Sequence, residues 1–142
     1  MAHLTSVLDQ SKSHIILDCE GRTLGDTNGK LGLIQLGINN EVYLIDVISF
    51  PSSIKMLKPY LESTTITKYV WDGRCDYSEL KHGHGITLKG VVDLQLADVH
   101  SEIERQEKNW NVHRLSSLKA AAEKWHVLPP SELAKIKSGT KL

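Results

Sequence analysis

Three apolar, β-branched runs follow one another between residues 14 and 46, and nothing between them is long and periodic enough to be a helix. That succession limits the fold more than any other feature. The first run, His14-Ile-Ile-Leu-Asp-Cys19, reads as a buried strand. A Gly-rich stretch over residues 21–30 follows and holds the turn pair Asn28-Gly29. Leu31-Gly-Leu-Ile-Gln-Leu-Gly37 reads as the second strand, and Asn39-Asn40 turns the chain into Val42-Tyr-Leu-Ile-Asp46, so these two form a hairpin. Three strands joined in this way predict an antiparallel meander.

The pattern then changes to alternation. Pro51-Ser52-Ser53 opens a helix in which Ile54, Leu57, Lys58 and Leu61 recur at helical spacing to Glu62. Residues 65–71 are strand-like, and Asp72 is placed to cap a helix over residues 75–82 that Gly83 or Gly85 would end. A short strand at residues 90–93, a helix over 94–104, a polar linker at 105–113 and a helix over 115–125 complete the series. Strand–helix alternation after a meander predicts an α/β fold, a mixed sheet whose meander is followed by parallel strands and flanked by helices. The 142 residues suit one domain, with an N-terminal extension at 1–13, the domain proper at 14–128 and a tail at 129–142.

Composition narrows the function classes. Lys and Arg number 17 against 17 Asp and Glu, so a long polycationic grip on nucleic acid is excluded, and any contact with it must be local or use bound cations. A 40% hydrophobic content without net charge excludes disorder as the default. No apolar run approaches the ~20 residues of a membrane helix, and no basic start followed by an apolar core suggests a secretory leader. Cys19 and Cys75 are too few for a disulfide framework, which points to a reducing intracellular compartment, cytoplasmic or nuclear.

The residues best suited to chemistry are acidic. Asp18 and Glu20 stand at i and i+2 at the end of the first strand, so both carboxylates share one face while Cys19 points to the other. Like charges so placed repel unless a cation lies between them, and a hard divalent ion takes carboxylate oxygens. Strand ends of an open α/β sheet are favoured ligand positions. Asp76 lies one turn into the helix after the fourth strand, beside the packed face marked by Leu80, and could complete a cluster of three carboxylates.

Other candidates read as structural. Asp93 suits a helix cap and Asp46 a turn. His82 and His84 straddle a helix C-terminus, where the dipole favours them. Cys75 has no His partner identifiable from sequence, the three Trp residues suit packing, and the lysines at 135, 137 and 141 suit a solvated tail.

Taken in order, the strings Ile15-Ile-Leu-Asp18-Cys-Glu20-Gly21, Gly29-Lys-Leu-Gly-Leu-Ile-Gln-Leu-Gly37, Val42-Tyr-Leu-Ile-Asp46, Thr67-Lys-Tyr-Val-Trp-Asp-Gly-Arg-Cys-Asp76, His84-Gly-Ile-Thr-Leu-Lys-Gly-Val-Val-Asp93-Leu-Gln-Leu-Ala97 and Leu115-Ser-Ser-Leu118 resemble the 3′–5′ exonuclease domain of the RNase D-like branch of the DEDD nucleases. The resemblance implies a ribonuclease-H-like fold and hydrolysis of single-stranded RNA or DNA from a 3′ end. It also implies a two-metal site for Mg²⁺ or Mn²⁺ held by Asp18, Glu20 and Asp76 as catalytic and metal-binding residues.

Two departures accompany it. Asp72 stands where the family often has Asn. The family's last catalytic Asp, four residues after a Tyr or His, has no counterpart after Leu115, where the acidic residues are Glu123 and Glu132. The resemblance thus implies a domain incomplete at its C-terminal end. It leaves open a non-catalytic module that binds nucleic acid or protein on the same fold.

Overall fold

The computed structural model describes residues 2–10, 14–105 and 115–133. The chain divides into two compact units, Met1–Asp93 and Leu94–Leu142.

The first unit is built on a five-stranded sheet of β1 (His14–Arg22), β2 (Lys30–Ile38), β3 (Glu41–Asp46), β4 (Thr67–Val70) and β5 (Val91–Asp93), in the order β3-β2-β1-β4-β5. β1 is antiparallel to β2 and β2 to β3, whereas β1–β4 and β4–β5 are parallel. The meander followed by parallel strands is therefore present as expected. β1 is central because its alternation is cleanest: Ile15, Leu17 and Cys19 are buried, while Ile16, Asp18 and Glu20 face the other way. On the closed face Ile15, Leu17, Ile34 and Leu36 pack with Leu57 and Leu61 of α2 (Ser52–Leu61) and Leu80 of α3 (Arg74–His84). Each such side chain contributes about 1.5–3 kcal/mol by leaving water.

Residues 2–10, which the sequence pattern assigned to an extension without an element, form α1 (Ala2–Gln10). Leu4 and Leu8, one helical turn apart, enter the same core, and the Tyr60 hydroxyl of α2 donates to Asp9 at 2.8 Å. Lys68 of β4 is fully buried on the closed side, and its ammonium donates to the carbonyls of Tyr60 (3.3 Å), Ser63 (2.5 Å) and Ile66 (2.7 Å). Desolvation holds its pKa below the usual lysine range.

The start of α3 differs from expectation. Asp72 does not cap it: its backbone is left-handed at φ +52°, the helix begins after Gly73, and the Asp72 carboxylate instead takes both arms of the Arg74 guanidinium at 2.6 and 3.1 Å. The amides of Asp72 and Gly73 donate to Asp93 at 3.2 and 3.1 Å, so the end of β5 fixes the β4–α3 turn. α3 runs through Gly83 and stops at Gly85, whose φ of +65° lets its amide reach Leu80 and Lys81 carbonyls.

The second unit holds α4 (Leu94–Glu104), α5 (Leu118–Lys124) and α6 (Pro130–Leu133). α5 starts later than the pattern suggests because Ser117 supplies the cap, its hydroxyl accepting from the Ala120 amide at 3.2 Å. Buried Asp98 accepts from the Trp125 indole (2.7 Å) and the Lys124 ammonium (3.1 Å), and Lys124 also pairs with Glu102. Trp125 thus packs at a rim under the Arg105 guanidinium, 4.4 Å from the ring centre. Most of the expected linker, Trp110 and the three tail lysines lie outside the described residues.

Candidate active site

Strand alternation and a bulge set the first two carboxylates. Asp18 pairs across the hairpin with Gln35, and Glu20 with Leu33; the register then shifts between Glu20 and Gly21. Glu20 faces Leu33 and Gly21 faces Leu31, so the extra residue is Gly32 and β2 is the strand that bulges and bends opposite Glu20. Only glycine fits at position 21, because a Cβ on Gly21 would lie 2.1 Å from the Lys30 carbonyl oxygen and 2.7 Å from Leu24. Asp18 and Glu20 are both exposed on the open face, as the alternation required, and Cys19 is buried between them on the other.

Gln35 was not singled out from the sequence, yet its amide donates to Asp18 at 2.8 Å. The signal was the hairpin register, which sets Gln35 opposite Asp18.

Asp76 reaches the same region from the first turn of α3, and it is buried. Burial raises its pKa to about 7, the charges of Asp18 and Glu20 push in the same direction, and the Cys19 backbone amide pulls against them. Asp18 is raised too, by desolvation first and by Glu20 second, with the Gln35 hydrogen bond opposing. The Cys19 thiol is driven far up by burial and by the surrounding acids, so it stays protonated and unreactive. Glu20 therefore acts electrostatically on Asp18, and both act on Asp76.

Among the described residues no group of three or more His, Cys, Asp and Glu side chains closes a ready cage around one ion. The donor chemistry nevertheless suits a hard divalent cation: Glu20 raises the cost of ionising Asp18, both raise that of Asp76, and a cation would relieve it.

A clasp ties α3 to the loop after β1. Ser78 donates to the Gly25 carbonyl at 3.3 Å, and the Gly25 amide donates to buried Glu79 at 3.3 Å. Gly25 is left-handed at φ +83° and lies on Cys75, where a Cβ would sit 3.2 Å from the Cys75 Cα. The clasp holds the elements bearing Asp76 and the β1 pair together.

The remaining candidates have local duties. Asp46 accepts from the Ser49 amide (2.8 Å) and hydroxyl (2.7 Å), which lowers its pKa and makes it the expected turn residue. His84 lies 3.9 Å from Glu79 on the last turn of α3, and His82 lines a shallow cleft with Asp26 and Ser78. Asp93 holds the β4–α3 turn, and Cys75 is an exposed free thiol.

Known proteins resemble this arrangement. The mouse and human "piRNA biogenesis protein EXD1" are each 36% identical over 77 residues, about 51% of this chain. That stretch is 13% and 14% of their respective lengths, so the chain matches a small part of those relatives. Trypanosoma brucei RNase D in complex with GMP superposes with a TM-score of 0.75 at 25% identity, covering 92% of this chain and 40% of that one. The same enzyme in complex with RNA U12 gives 0.73 at 23% identity, over 96% and 48%. Escherichia coli RNase D, described as an exoribonuclease involved in structured RNA processing, gives 0.66 at 23% identity, over 89% and 31%. Residues 1–131 match the family described as 3′-5′ exonuclease, and with that match across the sheet, the carboxylates and the clasp, the chain belongs to the 3′–5′ exonuclease family.

Proposed function

We propose that the chain forms the carboxylate-bearing part of a metal-dependent 3′–5′ exonuclease acting on single-stranded nucleic acid, RNA in preference to DNA. The observation that carries this reading is the coupling of Asp76 to Asp18 and Glu20, with its pKa raised to about 7. Perturbed acids brought together from β1 and the first turn of α3 are a functional signature. The RNA in one structural neighbour supports the substrate class. The two free cysteines suit a reducing compartment.

Asp18, Glu20 and Asp76 would hold Mg²⁺ or Mn²⁺. Such ions supply Lewis-acid polarisation of a phosphoryl oxygen and acidify water. The chain's own contribution is placement. The bulge at Gly32 of β2 lies opposite Glu20, Gln35 holds one oxygen of Asp18, and the Cys19 amide steadies Asp76. The 142 residues contain no Tyr-x-x-x-Asp or His-x-x-x-Asp after Leu115. A missing transition-state group of that kind typically costs about 10²–10³ in rate, so turnover by these residues alone should be very slow.

Two measurements test the proposal. Millimolar Mn²⁺ should raise the melting temperature of the chain, because a cation at ~100 times its dissociation constant adds roughly 2.7 kcal/mol, and Asp18→Asn should remove most of the gain. A time course on 3′- and 5′-labelled oligonucleotides with Mn²⁺ should show slow shortening from the 3′ end that Glu20→Gln abolishes. An equal metal response in wild type and Asp18→Asn would overturn the site, and nucleic-acid binding without any shortening would favour the non-catalytic module.

A further inference from the structure

The sheet edge beside α3 carries a built cleft that the three carboxylates do not use. It is an open groove of about 340 Å³ lined by Gly73, Arg74, Tyr77, Lys89, Val91 and Asp93 among others. That volume is on the scale of a single nucleotide unit. Its walls are fixed. Asp93 spends its carboxylate on the Asp72 and Gly73 amides, and Asp72 spends its own on both arms of Arg74. Gly90, left-handed at φ +59°, forms the lip, where a Cβ would lie 3.0 Å from the Ile66 carbonyl oxygen.

Along α3, Arg74, Tyr77 and Lys81 recur at i, i+3 and i+7, a spacing that keeps them on one helix face. The Tyr77 ring is 36% exposed, and the Lys81 ammonium stands 5.4 Å from its centre and 3.3 Å from its hydroxyl. With both carboxylates engaged locally, Lys81 and Lys89 provide positive charge around an accessible aromatic ring. The stripe borders Asp76 in sequence and runs away from it along the helix. A neutral chain that binds a polyanion needs a local cationic surface of this kind.

We propose that this cleft is a track for the single-stranded substrate 5′ of the scissile bond, with one base stacked on Tyr77 and the flanking phosphates on Lys81 and Lys89. Stacking on an aromatic ring tolerates any base, and lysines read charge without sequence, so the track would be indifferent to sequence. The proposal rests on the reading of the carboxylate site as an exonuclease centre and adds where the rest of the strand lies.

The test is fluorescence anisotropy of the full chain with a 5′-labelled U12 oligonucleotide in EDTA, which isolates binding from cleavage. Lys81→Glu with Lys89→Glu should weaken binding at least tenfold, and should reduce the slope of log K against log salt by about 1.4, since each single-strand phosphate contact contributes roughly 0.7. Tyr77→Ala should weaken binding about five- to tenfold without changing that slope, and Tyr77→Phe should bind as wild type does. Lys30→Glu with Lys55→Glu makes the same change in net charge at residues that line a different cleft and should alter affinity less than twofold. Wild-type-like binding by the cleft variants, or an equal loss in the Lys30/Lys55 control, would overturn the track while leaving the carboxylate site standing. Failure of wild type to bind the oligonucleotide at low salt would overturn both the track and the proposed substrate.

Discussion

Replacing Asp76 by Asn should make the metal-free protein more stable at alkaline pH, although it removes a candidate functional group. The folded-state pKa of Asp76 is raised from 3.8 to about 7 by burial and by the negative charges of Asp18 and Glu20. Between those values the folded protein holds a proton that the unfolded chain releases, so this group favours folding fully below about pH 4 and less as pH rises toward 7. At 1.36 kcal/mol per unit, the penalty above pH 7 reaches roughly 4 kcal/mol. Asn carries no charge and can still accept from the Cys19 amide, so Asp76→Asn should recover much of that penalty. For a chain of 142 residues the recovery corresponds to about 13 °C in Tm at most. Urea and thermal unfolding in EDTA at pH 4.5, 6, 7 and 8 should show the variant pulling ahead of wild type as pH rises, with the two close at pH 4.5. Adding Mn²⁺ at pH 8 should raise the wild type and leave the variant in place. A stability gap independent of pH, or a variant less stable than wild type at pH 8 in EDTA, would refute the reasoning, because Asp76 would then not be a strained carboxylate.

Local geometry sets two further outcomes. Gly21→Ala places a Cβ 2.1 Å from a backbone oxygen that cannot step aside, so it should destabilise the fold by more than about 3 kcal/mol in urea titrations and weaken Mn²⁺ binding with it. Ser117→Ala removes the α5 cap and should lower stability by only about 1 kcal/mol, with Mn²⁺ binding unchanged in calorimetric titration.

How much of this was legible in the sequence depended on the range of the cause. The meander, the alternation and the shared face of Asp18 and Glu20 follow from periods of two and 3.6 residues, and the family was readable from its ordered strings. Features set by pairing across the sheet were not. Gln35 meets Asp18 only because of the hairpin register, and the bulge opposite Glu20 exists only in that pairing. Asp72 has every local property of a cap, but a left-handed turn held by Asp93, 21 residues later, turns its carboxylate to Arg74 instead. α1 escaped notice because its apolar signal is only Leu4, Val7 and Leu8, whose role depends on the sheet that receives them.

Lys68 has a consequence for the order in which strands commit. β4 is four residues long and parallel, so few backbone bonds decide where along β1 it settles. A slip of one residue would exchange its faces, carrying the ammonium away from three carbonyls and pressing the Tyr69 ring toward the core. The misregistered state would take that donor from the Ser63 and Ile66 carbonyls, at about 1–3 kcal/mol apiece, and would displace the start of α3 by one strand step of about 3.3 Å. Lys68 thus behaves as an internal alignment pin: it contributes nothing to the chemistry of the carboxylates, but it sets how far along the sheet Asp76 comes to rest.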